Sequence, residues 1–540
     1  MTGGDNRWLA AALTAIPVVF FGYFFIYPLA TVLVTGFTST NASVSVADVL
    51  TRPSLRAIAW FTLWQAIAST VLTVALALPG AYVLGRYDFK GKSVVKAAVT
   101  VPFIMPTVVV AGAFLTLLGP DGPLGIDLRR TIWSILIAHV FFNYAVVVRT
   151  VGAAWERLDP SLRAAAASLG ADRWRTFRHV TLPLIRPAVA SAASIVFLFS
   201  FTSFGVVLIL GDLVHSTIEV EIWRQATNLL NLPAAAALAA IQLVGITAVL
   251  WFYARYQARQ AVQSHVASVR TSAVHPIGRR QRTIVAANLT AMALLLGTPL
   301  LTIVVRSLST DGGWGFANYS ALRQPSNALF VPAATAIGNS LKIGLLAMTL
   351  ALVVGMLASW AIIRARSRFG HSLDVLIMLP LGTSAVTLGF GFLLALDRPI
   401  DLRTSFWLLP IAHALIAVPF VIRTSLPVLR SIEPRLREAA AVLGAAPRRV
   451  WQEVDLPIVR RALLVGGAFA LAVSMGEFGA TSFIARPDVP TLPIAVYRLL
   501  SRPGAATFGQ AMAASTVLMV VTAAGILIVE RWRGTTAQEF

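Results

Sequence analysis

The 540-residue chain has no cysteine. No disulfide framework, thiolate metal site or cysteine nucleophile can be built from it. Charge is scarce too: Asp, Glu, Lys and Arg make up 12% of the residues, whereas 57% are hydrophobic. Soluble domains carry roughly 25% charged residues. The surplus apolar content falls in blocks of about 20 residues, the length that crosses a bilayer core, which excludes a soluble globular protein. Acid is the scarcer sign, with 23 Asp+Glu against 44 Lys+Arg and a formal net charge of +21. That surplus is read as membrane topology, because Lys and Arg concentrate in cytoplasmic loops; nucleic acid is not expected as a partner. Neither a nucleophile–base constellation nor a metal-ligand cluster stands out, so catalysis, a metal and a resident cofactor are not expected on this chain.

What is present is twelve apolar segments. In the first half they are Leu9–Val34, Trp60–Leu84, Ala97–Leu118, Thr131–Val148, Pro187–Leu210 and Ala234–Tyr253. In the second half they are Thr283–Val305, Ala333–Ile363, Val375–Leu396, Thr404–Ile422, Ala462–Ile484 and Phe508–Val529. Each is expected to be helix, since a lipid-exposed open strand would leave backbone groups unpaired. Leu9–Val34 follows a single Arg7 and is too long for a signal-peptide core, so an uncleaved helix is expected. With the N-terminus inside, inner segments hold 31 Lys+Arg and outer loops 12. This bias predicts that both termini are cytoplasmic. The Arg-rich segment 254–282 reads as a cytoplasmic linker between domains 1–253 and 283–540.

The halves repeat. Ile137-Ala138-His139 recurs as Ile411-Ala412-His413, and Arg149-Thr150 as Arg423-Thr424, both at an offset of 274. An even number of helices per copy makes the repeats parallel. The predicted fold is therefore an all-α membrane protein with about twelve transmembrane helices in two parallel six-helix repeats.

The longest inner loops, 150–186 and 424–461, are the most informative. The second carries Glu438-Ala439-Ala440, then Gly444, Val454 and Leu456-Pro457; the first carries Ala164-Ala165-Ala166, Gly170, Val180 and Leu182-Pro183 at the same spacing. Asp159-Pro160 and Glu433-Pro434 put an acid before, and proline at, the first position of a helix. Gly170 and Gly444 suit a left-handed helix stop. Each loop thus predicts a short helix of about ten residues, roughly 15 Å long. A second short segment then leads to a Leu-Pro pair that opens the next membrane helix.

This duplicated pattern resembles the EAA loop of binding-protein-dependent ATP-binding-cassette (ABC) importer permeases, over nearly the whole chain. The resemblance implies a coupling helix that docks on a separate ATPase. By position it assigns Glu438, Ala439, Ala440, Gly444, Leu456 and Pro457 to one coupling loop, and Ala165, Ala166, Gly170, Leu182 and Pro183 to the other. Ala164 stands where the family usually has Glu. The implied partners are two ATPase subunits that bind ATP, an extracytoplasmic solute-binding protein and the bilayer of a bacterial cytoplasmic membrane. Ile137 to Asn143, Ser203-Phe204-Gly205, Thr217 to Val220 and Ser474 to Gly479 resemble strings of thiamine and ferric-iron importer permeases, so a thiamine-type solute or ferric iron is expected.

The stretch Gly85 to Ser93, GRYDFKGKS, misses the phosphate-cradling spacing by one residue and follows a membrane helix. It also partly matches a loop of major-facilitator transporters; a twelve-helix secondary transporter is the alternative function. Ionisable residues inside apolar segments are functional candidates by default. They are His139, His413, Lys342 and Glu477. Of these, His139, His413 and Glu477, with Ser203 at the repeat position of Glu477, form the candidate translocation path; interhelical hydrogen bonding is the competing role.

Overall fold

The computed structural model describes residues 5–38, 51–120, 122–123, 125–261, 275–276, 278–310, 312–364 and 367–534. Of the expected 254–282 linker, residues 262–274 and 277 lie outside them, while 254–261 continue the helix Leu232–Ala261 and 279–282 open the helix Arg279–Leu308. Apart from a two-stranded hairpin pairing Ser309 with Trp314 and Thr310 with Gly313, the described elements are helical. Ten helices among them are long and apolar enough to cross a membrane. The helix Pro53–Arg86 alone has 34 residues, about 50 Å at 1.5 Å per residue.

The third segment of each half departs from the expected straight span. Ala97–Leu118 is two helices, Lys92–Ile104 and Thr107–Leu117, bent by 96°. Proline explains the break: Pro106 has no N–H to donate, and it forces Met105 out of helical geometry to ψ 141. In the second half the break falls between Ser367–Gly382 and Ala385–Ala395. There Ser384 caps the new helix, its hydroxyl accepting from Val386 N at 3.1 Å and Thr387 N at 3.2 Å.

The fifth segments break as well. The helix Leu182–Phe201 stops and a short helix, Gly205–Leu210, follows; Leu456–Gly476 stops and Thr481–Ile484 follows. The linking residues include Ser203 and Glu477. Close backbone approach brackets the second break. A Cβ at Gly389 would lie 2.6 Å from Ala480 Cα, so only glycine fits there.

Compact units cut across the sequence halves. One comprises Met1–Val46, Ile222–Ala240 and Ser307–Phe540; the other comprises Ala47–Glu221 and Ile241–Arg306. In the first unit, Phe20, Phe21 and Phe25 of the N-terminal helix share a buried cluster with Ile343, Ala347, Leu415 and Val418. In the second, Val285 of the helix Arg279–Leu308 packs with Val83 and Tyr87. The first membrane helix of each sequence half is thus counted with the helices of the other half. In the second unit the helices Pro53–Arg86 and Ile132–Glu156 pack at glycine: a Cβ at Gly85 would meet Gly152 O at 2.7 Å.

Candidate functional site

Both long loops form the expected short helix, of nine residues each: Pro160–Ser168 and Pro434–Val442. Proline opens each, where its missing N–H costs nothing. Asp159 caps the first, accepting from Ser161 N at 2.8 Å, whereas Glu433 makes no capping bond. The stops are alike. Gly170 has φ 81° and Gly444 φ 83°. Ala171 N donates to Ala166 O and Gly170 N to Ala167 O, both at 3.0 Å; Ala445 to Ala440 and Gly444 to Ala441 repeat this at 3.0 Å. This is the paired-bond Schellman stop.

Neither helix buries any of its residues. Ala165, Glu438 and Ala439 are exposed, and Ala166 and Ala440 half-buried. Beside them Leu169 is 88% exposed and Leu443 87%. An isolated helix of this length is marginal in water, and the two carry their exposed leucines at equivalent repeat positions.

After each stop a one-turn helix runs without interruption into the membrane helix. The first is Arg173–Thr176, whose cap Asp172 accepts from Arg175 N at 2.7 Å; the second is Pro447–Val450. Before each Leu-Pro pair the chain widens to a π-turn, Phe177–Thr181 and Trp451–Asp455. Leu182 N bonds Phe177 O and Leu456 N bonds Trp451 O. Pro183 and Pro457 supply no N–H, and the widened turn accommodates that.

The candidate path residues are buried: His139 and His413 are each 2% exposed, Ser203 8% and Glu477 7%. Each histidine spans a seam of hydroxyls. His139 Nδ1 meets Ser69 Oγ and its Nε2 meets Ser203 Oγ, both at 2.8 Å. His413 Nδ1 meets Ser474 Oγ at 2.7 Å and its Nε2 meets Thr481 Oγ1 at 2.8 Å. Fourth-helix histidine therefore ties to the fifth-segment break in each unit. Around the first, Gln65 Nε2 donates to Ser200 O at 2.8 Å, and Thr217 Oγ1 to Ser203 O at 3.1 Å.

Glu477 is held by the break itself. Its Oε1 accepts from Ala480 N at 2.8 Å, and its Oε2 from Thr481 N at 2.9 Å and from the Thr481 hydroxyl. His413 Nε2 lies 3.5 Å from Oε2. One consistent proton order runs from Ser474 O–H to Nδ1, from Nε2–H to Thr481, and from Thr481 O–H to the carboxylate, an assignment made from the network. These bonds all run between residues of the chain and link each fourth-helix histidine to the fifth-segment break. Lys342 lies on an exposed face of Ala333–Arg364.

One repeated feature was missed in the sequence. Asp127-Leu128-Arg129 recurs as Asp401-Leu402-Arg403 at the same offset. In both, the arginine grips the carboxylate with two side-chain bonds, of 2.9 and 2.8 Å in the first and 3.0 and 3.0 Å in the second. Arg129 and Arg403 hold the two carboxyls below their usual pKa. The repeated Asp-x-Arg spacing was the available signal. The stretch Gly85–Ser93 has a helix, not a strand, before it.

The sequence profile of the family described as "Binding-protein-dependent transport system inner membrane component" matches residues 77–262. The chain belongs to this family of ABC importer permeases, as a fused two-repeat member. It is 30% identical over 470 residues to the thiamine transport system permease protein ThiP of Salmonella typhimurium, covering 83% of this chain and 84% of that one. ThiP of Brucella abortus is 27% identical over 507 residues, 89% of each. A probable molybdenum ABC transporter permease of Haloferax volcanii is 32% identical over 224 residues, 41% of this chain and 82% of that one. The family assignment leaves the major-facilitator reading without support.

Proposed function

We propose that this permease carries thiamine, handed over by an extracytoplasmic binding protein and driven by two separate ATPase subunits that hold the ATP. The observation that carries the coupling part is the matched pair of short helices. Each is capped or proline-started, stopped by a positive-φ glycine, and presents an exposed leucine while burying nothing of its own. A surface of that kind, repeated at a fixed offset, suits two copies of one partner. Leu169 and Leu443 fill apolar recesses of the ATPases, and Glu438 adds a charge that Ala164 lacks. The seams at His139–Ser203 and His413–Glu477 hold the breaks of the fifth segments in shape. Support for the solute is the similarity to thiamine permeases that align across both repeats.

Uptake of labelled thiamine tests the solute. Cells lacking their own thiamine importer should accumulate it when this chain is expressed with its ATPase and binding protein, and not when the ATPase is omitted. Uptake of ferric iron with none of thiamine would replace the solute and keep the permease.

Orientation has its own test, because the Lys/Arg bias predicts that both loops are cytoplasmic. The absence of native cysteine leaves no background labelling. Ser168→Cys and Val442→Cys should resist a membrane-impermeant thiol reagent in intact cells and react in opened ones. Ile400→Cys and Ser326→Cys should react in both. Labelling of Val442→Cys from outside would invert the topology.

A further inference from the structure

The fifth segment of each repeat is followed by a short helix, and the two correspond. Thr217 to Arg224 aligns with Thr491 to Arg498 at the same offset of 274 that pairs Ser203 with Glu477. Ile218–Trp223 runs on into the π-turn Arg224–Asn228, and Leu492–Leu500 has nine residues. Nine residues span about 14 Å, too little to cross a bilayer, yet Leu492 to Val496 are all buried. Chain of this kind at membrane depth is packed in protein or lines a water-filled path. Burial relaxes at the same step in both copies: Trp223 and Arg224 are half-buried, as are Tyr497 and Arg498.

Trp223 and Tyr497 are thus repeat equivalents, and they touch. Their rings meet edge to face, with centroids 6.1 Å apart and planes at 88°. Parallel repeats are related by an axis along the membrane normal. Under such a two-fold, a residue that touches its own equivalent lies at the axis. Two large rings there close a bore that small side chains would leave open, and a single edge contact is weak enough to be parted.

The same contact reaches the fifth-segment break. Phe478, which follows Glu477 in the break, packs on Tyr497 with ring centroids 5.4 Å apart. The helix Leu456–Gly476, which follows the second loop and ends at that break, has 21 residues. Its length is about 32 Å, close to the hydrocarbon thickness of a bilayer. The ring pair is therefore joined to the loop by one membrane-crossing helix and one aromatic contact.

We propose that the Trp223–Tyr497 contact is a gate that closes the translocation path on the face opposite the loop helices. Phe478 ties the gate to the fifth-segment break, so that movement of the loop makes or parts the rings. The proposal rests on the coupling role given above to the loop helices and is independent of the solute.

The test uses the full chain assembled with its ATPases in lipid nanodiscs, with no solute. The chain has no cysteine of its own, so Trp223→Cys with Tyr497→Cys gives one reactive pair. A short bifunctional thiol reagent should join that pair with yields that differ by about tenfold between the nucleotide-free complex and the complex trapped with ATP and vanadate, an ordinary size for coupling between sites. A second pair leaves the rings in place. Asn228 and Arg502 are exposed and equivalent at the same offset, so spin labels on Asn228→Cys and Arg502→Cys should change their separation between the two states. Equal cross-linking in both states overturns the proposal. If the first pair fails to assemble, an unchanged label separation overturns it instead. Vanadate trapping itself reports that the ATPases engage, so a trapped complex with an unchanged contact tells against the gate and not against the coupling loops.

Discussion

Valine at Gly444 is expected to cut solute-stimulated ATP hydrolysis by the reconstituted importer roughly tenfold or more, as loss of an interface hot spot does. Gly444 sits at φ 83° with nothing within 4 Å of an added Cβ. The obstacle is therefore backbone conformation and not space. A left-handed residue costs an L-amino acid roughly 1–2 kcal/mol, and a β-branched one more. The chain can escape by abandoning the two bonds Gly444 N→Ala441 O and Ala445 N→Ala440 O. That unwinds the last turn of a nine-residue helix and moves Leu443, the exposed apolar residue proposed to meet the ATPase. Gly170→Val should act in the same way on the first loop. Glu438→Ala should be milder in form but still clear, because a desolvated charged contact is worth about 2–5 kcal/mol when one partner is removed. Ala164→Glu should be tolerated. Full stimulated hydrolysis by both valine variants would mean that these helices are not where the ATPases engage.

The loop helices were legible in the sequence because their determinants are local. Proline at the first position and glycine after the last act on the backbone of the residues that carry them, so the spacing of Pro160 to Gly170 implies a short helix of about ten residues, close to the nine observed. The membrane segments were legible for a similar reason: apolar blocks of bilayer length have few other uses. Their breaks were not. Pro106 kinks a segment that is apolar on both sides, and the second-half break has only Ser384 to announce it. The pairing of each first helix with the helices of the other half depends on packing across hundreds of residues, to which no local pattern points. The same holds for Glu477. Its break is closely packed, since a Cβ added at Gly479 would lie 3.0 Å from Ala385 Cβ. That its carboxylate would fold back on Ala480 and Thr481 required the break itself.

Glutamine at Glu477 should lower the melting temperature of the solubilised chain and the amount of assembled importer, and lower transport only in proportion. The native carboxylate accepts from two backbone N–H groups, Ala480 at 2.8 Å and Thr481 at 2.9 Å, and from the Thr481 hydroxyl. Both oxygens face donors. A glutamine amide has one acceptor oxygen; its NH2 must face a donor whichever way it is turned. At least one buried N–H or hydroxyl then loses its partner, at a cost of about 1–3 kcal/mol. The penalty spreads to His413, whose Nε2 bonds the same Thr481 hydroxyl at 2.8 Å. A double substitution, Glu477→Gln with Thr481→Val, removes one of the stranded donors. It should therefore cost less than the sum of the two single changes, a coupling that a double-mutant cycle measures. Ser203→Ala, at the repeat position, removes one hydroxyl partner of His139 at 2.8 Å and no charge, so its loss should be smaller than that of Glu477→Gln. If the solute instead met the carboxylate in passage, Glu477→Gln would assemble at the wild-type level and transport slowly. Normal melting and normal assembly with transport lost would move Glu477 from the brace of the break to the lining of the path.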